Sequence, residues 1–215
     1  SETKYDTKGD KSMMLNEEQN YEPIEPKIYR VNEIFYSLQG EGARAGTPNV
    51  FIRFAGCNLR CNLEEHDFNC DTEFASGVDM TVTTILAQVR SYPCFNIIFT
   101  GGEPALQMDK PLIDAFQGYY LAVETNGTKP LPQGLDWICC SPKTAEHTLG
   151  VGRVNELKYV RNVGQGIPRP ILLSDHYFLS PAWGESGALE HCVQLIKDNP
   201  SWRLSIQQHK IWGVR

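Results

Sequence analysis

"NVFIRFAGC" (49–57) and "FNIIFTGG" (95–102) are short apolar runs, rich in β-branched and aromatic residues, that end on glycine or cysteine. That is the pattern of a buried strand. Between them "TVTTILAQVRSY" (81–92) sets Val82, Ile85, Leu86 and Val89 at helical spacing. Strand, helix, strand makes a parallel βα unit with a right-handed crossover. The texture continues in "YYLAVETNG" (119–127), "LDWICCSP" (135–142), "NELKYVRN" (155–162) and "HYFLSP" (176–181), which read as strands. "KPLIDAFQG" (110–118), ended by Gly118, and "GALEHCVQLIKDN" (187–199) read as helices. A closed eight-fold barrel takes about 250 residues. The folded part is shorter, so the predicted fold is α/β, an incomplete parallel βα barrel.

Residues 1–27 are polar and charged, with little apolar periodicity, and read as an arm or tail. Tyr21 and Ile24 give that arm something to bury. Residues 28–215 form the folded domain. A chain of 215 residues with 41% hydrophobic and 21% charged side chains has enough apolar content for one real core. The net charge of -6 argues against nucleic-acid partners, which select a basic surface. No apolar run approaches the roughly 20 residues of a membrane span, and no signal-peptide pattern is present. Seven cysteines, an odd number, then read as cytoplasmic thiols or metal ligands rather than a disulfide framework.

Chemistry in parallel α/β sheets gathers at the carboxyl ends of the strands. Five polar or glycine-rich stretches fall there: the cysteine loop after Gly56, "TGGEP" (100–104), "ETNG" (124–127), "SPK" (141–143) and "LSP" (179–181). The loop, "GCNLRCNLEEHDFNCDTEF" (56–74), holds Cys57, Cys61 and Cys70. Three thiolates hold three irons of a four-iron cluster and leave one iron open. With His66 they also make a Cys3His zinc set. A structural zinc knuckle has no use for the other four strand-end motifs. Cys94, Cys139, Cys140 and Cys192 lie in or beside apolar runs and read as core residues. In "TGGEP", Gly101 and Gly102 allow close backbone approach, Glu103 is an acceptor for a cationic amine, and Pro104 suits a first helical turn.

At the cysteine loop the chain resembles the radical S-adenosylmethionine enzymes. Cys57 and Cys61 have that family's first gap, while Cys70 follows after "NLEEHDFN" (62–69), which reads as an inserted loop. "VNEIFYSLQGEG" (31–42), then "FIRFAGC", "CDT", "TGGEP", "ETNG", "SPK" and "WRLSIQQHK", taken together and in order, are similar to the 7-carboxy-7-deazaguanine synthase family. The match runs from about residue 28 onward, which makes 28–215 the catalytic domain. The resemblance implies a ring contraction of 6-carboxy-5,6,7,8-tetrahydropterin to 7-carboxy-7-deazaguanine with loss of ammonia, begun by hydrogen abstraction from C6. It implies a 4Fe-4S cluster, S-adenosyl-L-methionine and Mg2+, a homodimer, and an electron donor such as a flavodoxin or ferredoxin. The alternatives are a radical activase acting on a partner protein, which "LQGEG" and Arg53 oppose, and a non-catalytic zinc-binding protein.

Residue roles follow from the same resemblance. Cys57, Cys61 and Cys70 would hold the cluster, and Thr72 the magnesium ion. Asn69, Cys70 and Asp71 fall nearest the adenosine. Gly101, Gly102 and Glu103 meet the methionine end, and Ser141, Pro142, Lys143, Leu179, Ser180, Pro181 and Ala182 are further cofactor contacts. Leu38, Gln39, Gly40, Arg53, Thr100, His209 and Arg215 contact the substrate. Arg53, Glu124 and His209 are the candidate catalytic groups. The planar fork of Arg53 suits the substrate carboxylate, and the amide of Gln39 suits a pterin edge.

Overall fold

The computed structural model describes residues 25–66, 70 and 72–215. Among them nine strands form one open sheet, ordered β3-β1-β2-β4-β5-β6-β7-β8-β9. They are β1 (Ile28–Leu38), β2 (Pro48–Phe54), β3 (Val78–Thr81), β4 (Asn96–Gly101), β5 (Tyr120–Thr125), β6 (Trp137–Cys140), β7 (Val154–Arg161), β8 (Ser174–Pro181) and β9 (Arg203–Leu204). From β2 to β9 every neighbouring pair is parallel. β1 runs antiparallel to both β2 and β3, an edge that the βα pattern did not predict. The sheet does not close, so the incomplete-barrel reading stands.

Helices are α1 (Leu63–His66), α2 (Val82–Val89), α3 (Lys110–Ala115), α4 (Ala188–Asp198) and α5 (Gln208–Trp212). Thr81 caps α2 by accepting from Thr84 N, and Asp109 caps α3 by accepting from Leu112 N. α3 is shorter than its sequence pattern: it ends at Ala115, and Gly118 turns the chain at φ 91°. Strict strand–helix alternation fails after β5. Among the described residues the β5–β6, β6–β7 and β7–β8 connections contain no α-helix. The β5–β6 and β7–β8 connections are broken by Pro130, Pro132, Pro168 and Pro170, which remove helix donors.

Residues alternate faces along a strand, so each central strand carries two messages. On the helix side, Val50, Ile52, Phe54, Ile97, Phe99, Leu121 and Val123 pack with Ile85, Leu112 and Phe116. Farther along the sheet, Cys140, Leu157, Tyr159 and Leu179 pack with Cys192 of α4 and with Trp202. The opposite face has a small apolar floor of Phe35, Phe51, Ile98 and Ala122. Nearer the strand ends that face turns polar, at Arg53, Thr100, Glu124 and Lys158. Register sets Arg53 beside Thr100 and Glu124 beside Cys139. Of the arm, residues 1–24, with Tyr21 and Ile24, lie outside the described residues. Lys27 is tied to the body, its ammonium 2.7 Å from Asp109 Oδ2. No helix among the described residues is long and apolar enough to cross a membrane.

Candidate active site

The carboxyl ends of the strands open into two adjoining clefts. One, of about 210 Å³, is lined by Cys57, Cys61 and Cys70 together with Gly101, Gly102, Asn126, Ser141, Lys143, Ser180, Pro181 and Trp183. The other, of about 480 Å³, lies toward β1 and α5. Its walls include Leu38, Gln39, Gly40, Arg53, His209 and Arg215. Glu41, Thr72, Thr100, Glu124, Lys158 and Gln207 line both, so the two spaces meet along a common wall.

The cysteine cleft is assembled by backbone contact. Gly101 has φ 135°, and a Cβ there would meet Phe54 O at 2.1 Å. A Cβ on Gly102 would meet Gly56 O at 2.1 Å and Cys57 Cβ at 2.8 Å. The glycine pair therefore lets the β4 end lie against the root of the cysteine loop. Glu103 does not line the cleft. It is fully buried, and its carboxylate accepts from Thr125 Oγ1 at 2.7 Å, Asn126 N at 2.7 Å and Ala105 N at 3.0 Å. Burial pushes its pKa up against those bonds. Its carboxylate thus joins the β4 and β5 ends. Pro142, Leu179 and Ala182 are buried beside the cleft rather than lining it, and Leu179 is part of the helix-side core. Asn69 and Asp71 lie outside the described residues.

Sulfur donors are the chemistry an iron–sulfur cluster takes, but among the described residues no group of three or more His, Cys, Asp or Glu side chains is drawn together closely enough to hold a metal ion as it stands. Three soft sulfur ligands rim one cleft and feel one another's charge. Burial raises the Cys57 and Cys61 thiols. Leu59 N, 3.4 Å from the Cys57 sulfur, and the Lys143 ammonium near Cys61 act in the opposite sense and favour thiolate. His66 does not line the cleft, and its Nδ1 accepts from Asn62 N at 3.4 Å. Lys143 Nζ lies 2.6 Å from Ser141 Oγ, and burial, then the nearby Lys158 charge, lowers its pKa.

In the second cleft the charged and amide side chains of Glu33, Arg53, Gln39, Glu41, Glu124 and Lys158 hold one another. Arg53 Nε donates to Glu33 Oε1 at 2.9 Å, and the guanidinium of Arg215 pairs with the other oxygen of Glu33. Both guanidiniums lie over the Phe35 ring, at 5.8 and 5.3 Å, and that ring stacks on Phe51 at 4.9 Å. Gln39 Nε2 donates to Glu124 Oε1 at 2.9 Å, while its Oε1 accepts from Glu41 N at 3.1 Å. The Lys158 ammonium is 2.5 Å from Glu41 Oε2 and 3.5 Å from Glu124 Oε2. Gly40 leaves room for His209, since a Cβ there would meet the ring Nδ1 at 2.1 Å. Glu33, Lys158, Trp183 and Gln207 had no role in the sequence reading. The signal for Lys158 was legible: Glu156 and Lys158 alternate with Leu157 and Tyr159 in a central strand, where both faces are ordinarily apolar.

A protein from Bacteroides thetaiotaomicron described as 7-carboxy-7-deazaguanine synthase is 47% identical over 189 residues, covering 86% of this chain and 98% of the relative. The chain belongs to the 7-carboxy-7-deazaguanine synthase family. A Bordetella pertussis protein of the same description is 41% identical over 211 residues, 86% of this chain and 99% of its own length. No family model matches. Among solved structures, that of QueE from Escherichia coli aligns with a TM-score of 0.63 at 24% identity, covering 84% of this chain and 94% of that one. That likeness shows the shared open-sheet fold. Membership of this radical S-adenosylmethionine family implies a 4Fe-4S cluster and S-adenosylmethionine.

Proposed function

We propose that the chain converts 6-carboxy-5,6,7,8-tetrahydropterin to 7-carboxy-7-deazaguanine with loss of ammonia, as a radical S-adenosylmethionine lyase of 7-deazapurine and queuosine synthesis. The common wall between a thiol-rimmed cleft and a polar pocket is the observation that carries this reading. It brings a cofactor bound on one side against a ring bound on the other. Cys57, Cys61 and Cys70 would hold the cluster, and with S-adenosylmethionine bound beside it the one-electron-reduced site would supply an organic radical able to take hydrogen from carbon.

The remaining work belongs to the chain's own side chains. Arg53, its Nε occupied by Glu33, keeps both terminal nitrogens for the substrate carboxylate, and Arg215 stands beside it. Glu124 accepts from the N–H groups of the aminopyrimidinone edge, with Gln39 fixing its orientation. Thr100, Leu38 and the backbone at Gly40 shape the pocket, and His209 closes it from α5. Phe35 and Phe51 give the ring an apolar floor. Thr72, on the common wall, offers a hard oxygen to Mg2+, whose other ligands would be substrate oxygens and water. Gly101, Gly102, Ser141, Lys143, Ser180 and Pro181 cradle the cofactor. Held this way, the substrate presents one C–H toward the cysteine cleft, an orientation effect. Residues 28–215 act as the catalytic domain of a cytoplasmic homodimer fed by a flavodoxin or ferredoxin.

Anaerobic reconstitution, followed by incubation with reductant, cofactor, magnesium and the carboxypterin, gives 7-carboxy-7-deazaguanine by mass. Cys61→Ala loses both cluster iron and product. Full iron content and turnover in Cys61→Ala, or a colourless zinc protein inert toward the pterin, overturns the reading.

A further inference from the structure

Lys158 is a charged residue in the middle of a central strand, only 7% exposed, and it lines both clefts. An ammonium so placed has lost most of its hydration and is tolerated only beside carboxylates. It has two, Glu41 and Glu124, and each is linked back to Gln39. Gln39, Glu124, Lys158 and Glu41 therefore form a closed ring of contacts drawn from the β1 end, β5 and β7. One ammonium and two carboxylates leave the ring net negative. That is the charge suited to a ligand edge made of N–H donors.

The other charged or titratable groups facing this ring are Arg44 before β2, Glu156 on β7, Cys139 and Cys140 on β6, Lys143 after β6 and His209 on α5. Burial raises Cys139 and Glu156, and the Glu124 charge raises both further. Burial would also raise Glu41, but the Lys158 charge and hydrogen bond outweigh it and hold Glu41 below its ordinary value. Burial would lower Lys158, but Glu124 and Glu41 more than offset it. Lys158 and Glu41 thus stay charged through the neutral range. With Lys158 removed, two carboxylates share a wall without their cation, and one takes up a proton. An O–H then stands where an acceptor is wanted.

We infer that Lys158 is a positioning residue for substrate recognition, clamping Glu41 and Glu124 so that Glu124 and Gln39 present a fixed acceptor edge to the N–H groups of the aminopyrimidinone ring. The inference rests on the pterin reading above. Its test is steady-state kinetics of the reconstituted holoenzyme with the carboxypterin, for wild type, Lys158→Met, Glu124→Gln and the double variant. Lys158→Met raises KM on the order of tenfold or more, beyond any fall in kcat. Its KM improves as pH rises from mildly acidic to mildly alkaline, while the wild-type value moves less. In the Glu124→Gln background the same change adds no further KM increase, because the acceptor it positions is gone.

A Lys158→Met enzyme with normal iron content, wild-type KM and wild-type pH profile overturns the inference. If Lys158→Met alone does not fold, the double variant is compared with Glu124→Gln. Equal KM values support the clamp, and a further tenfold rise overturns it. A wild-type enzyme that leaves the pterin untouched sinks the functional reading instead, so the two failures are distinguishable.

Discussion

Arg53 donates its Nε to Glu33 and so has a fixed plane before any ligand arrives. The same pairing is what a surface arginine would do with a nearby acid, and here it orients the fork toward the pocket. Arg53→Lys keeps the charge and loses the fork. Its kcat/KM for the pterin is expected to fall by about ten- to a hundredfold with the melting temperature nearly unchanged, measured by initial rates and calorimetry. Arg53 and Gln39 were legible in the sequence because each stands in a short motif at a strand end. Lys158 carries a subtler signal, the charges that alternate through the apolar run of "NELKYVRN", which the run itself overshadows. The inward role of Glu103 was also hidden: its donors, Thr125 and Asn126, lie at and just past the end of β5, twenty-two and twenty-three positions away, and only the fold brings them together.

At the scale of elements, the joints between strands and helices carry two tests. Gly102→Ala places a methyl group against Gly56 O and Cys57 Cβ, so the root of the cysteine loop must shift. Iron bound per chain after reconstitution is expected to drop several-fold while far-ultraviolet circular dichroism stays native. Asp109 joins α3 to β1: it caps Leu112 N at 3.0 Å and accepts from Tyr29 Oη and Lys27 Nζ, each at 2.7 Å. Burial would raise its pKa, but the bonds from Lys27, Tyr29 and the Leu112 N–H outweigh it and hold the carboxyl below its ordinary 3.8. A depressed pKa means stability that is fully present above pH 3.8 and is lost as pH falls below it. Asp109→Ala should therefore cost about 1–2 kcal/mol at pH 7, the range of a lost cap. In urea melts the gap from wild type narrows under strongly acidic conditions. The helices α2 and α4 were legible from their periodicity. β1 and β3 were not marked as an antiparallel edge, because pairing direction is set by connection and docking rather than by local pattern.

For the whole molecule, the parallel run from β2 to β9 makes the two helix-side cores parts of a single ladder. Phe99 belongs to one core and Leu157 to the other, and both are fully buried. Phe99→Ala and Leu157→Ala are each expected to cost about 2–5 kcal/mol and to lower one shared transition rather than split it. Coincident near- and far-ultraviolet melts check this, and two separated steps would refute it. The open barrel was readable from strand pattern plus length, since too few residues were present to close it. The helix-free crossovers after β5 were not, because proline-rich connections say where a helix stops and not how little is needed to bring the next strand alongside.

The pocket wall that Gly40 shares with His209 joins the chain's early and late segments, with Gln208 N also donating to Gly40 O at 3.0 Å. Translation runs in one direction, so the cysteine loop leaves the ribosome well before α5 is made. A nascent polypeptide can thus expose its three thiols while the chamber for the pterin still lacks a side, and turnover must wait until α5 is made.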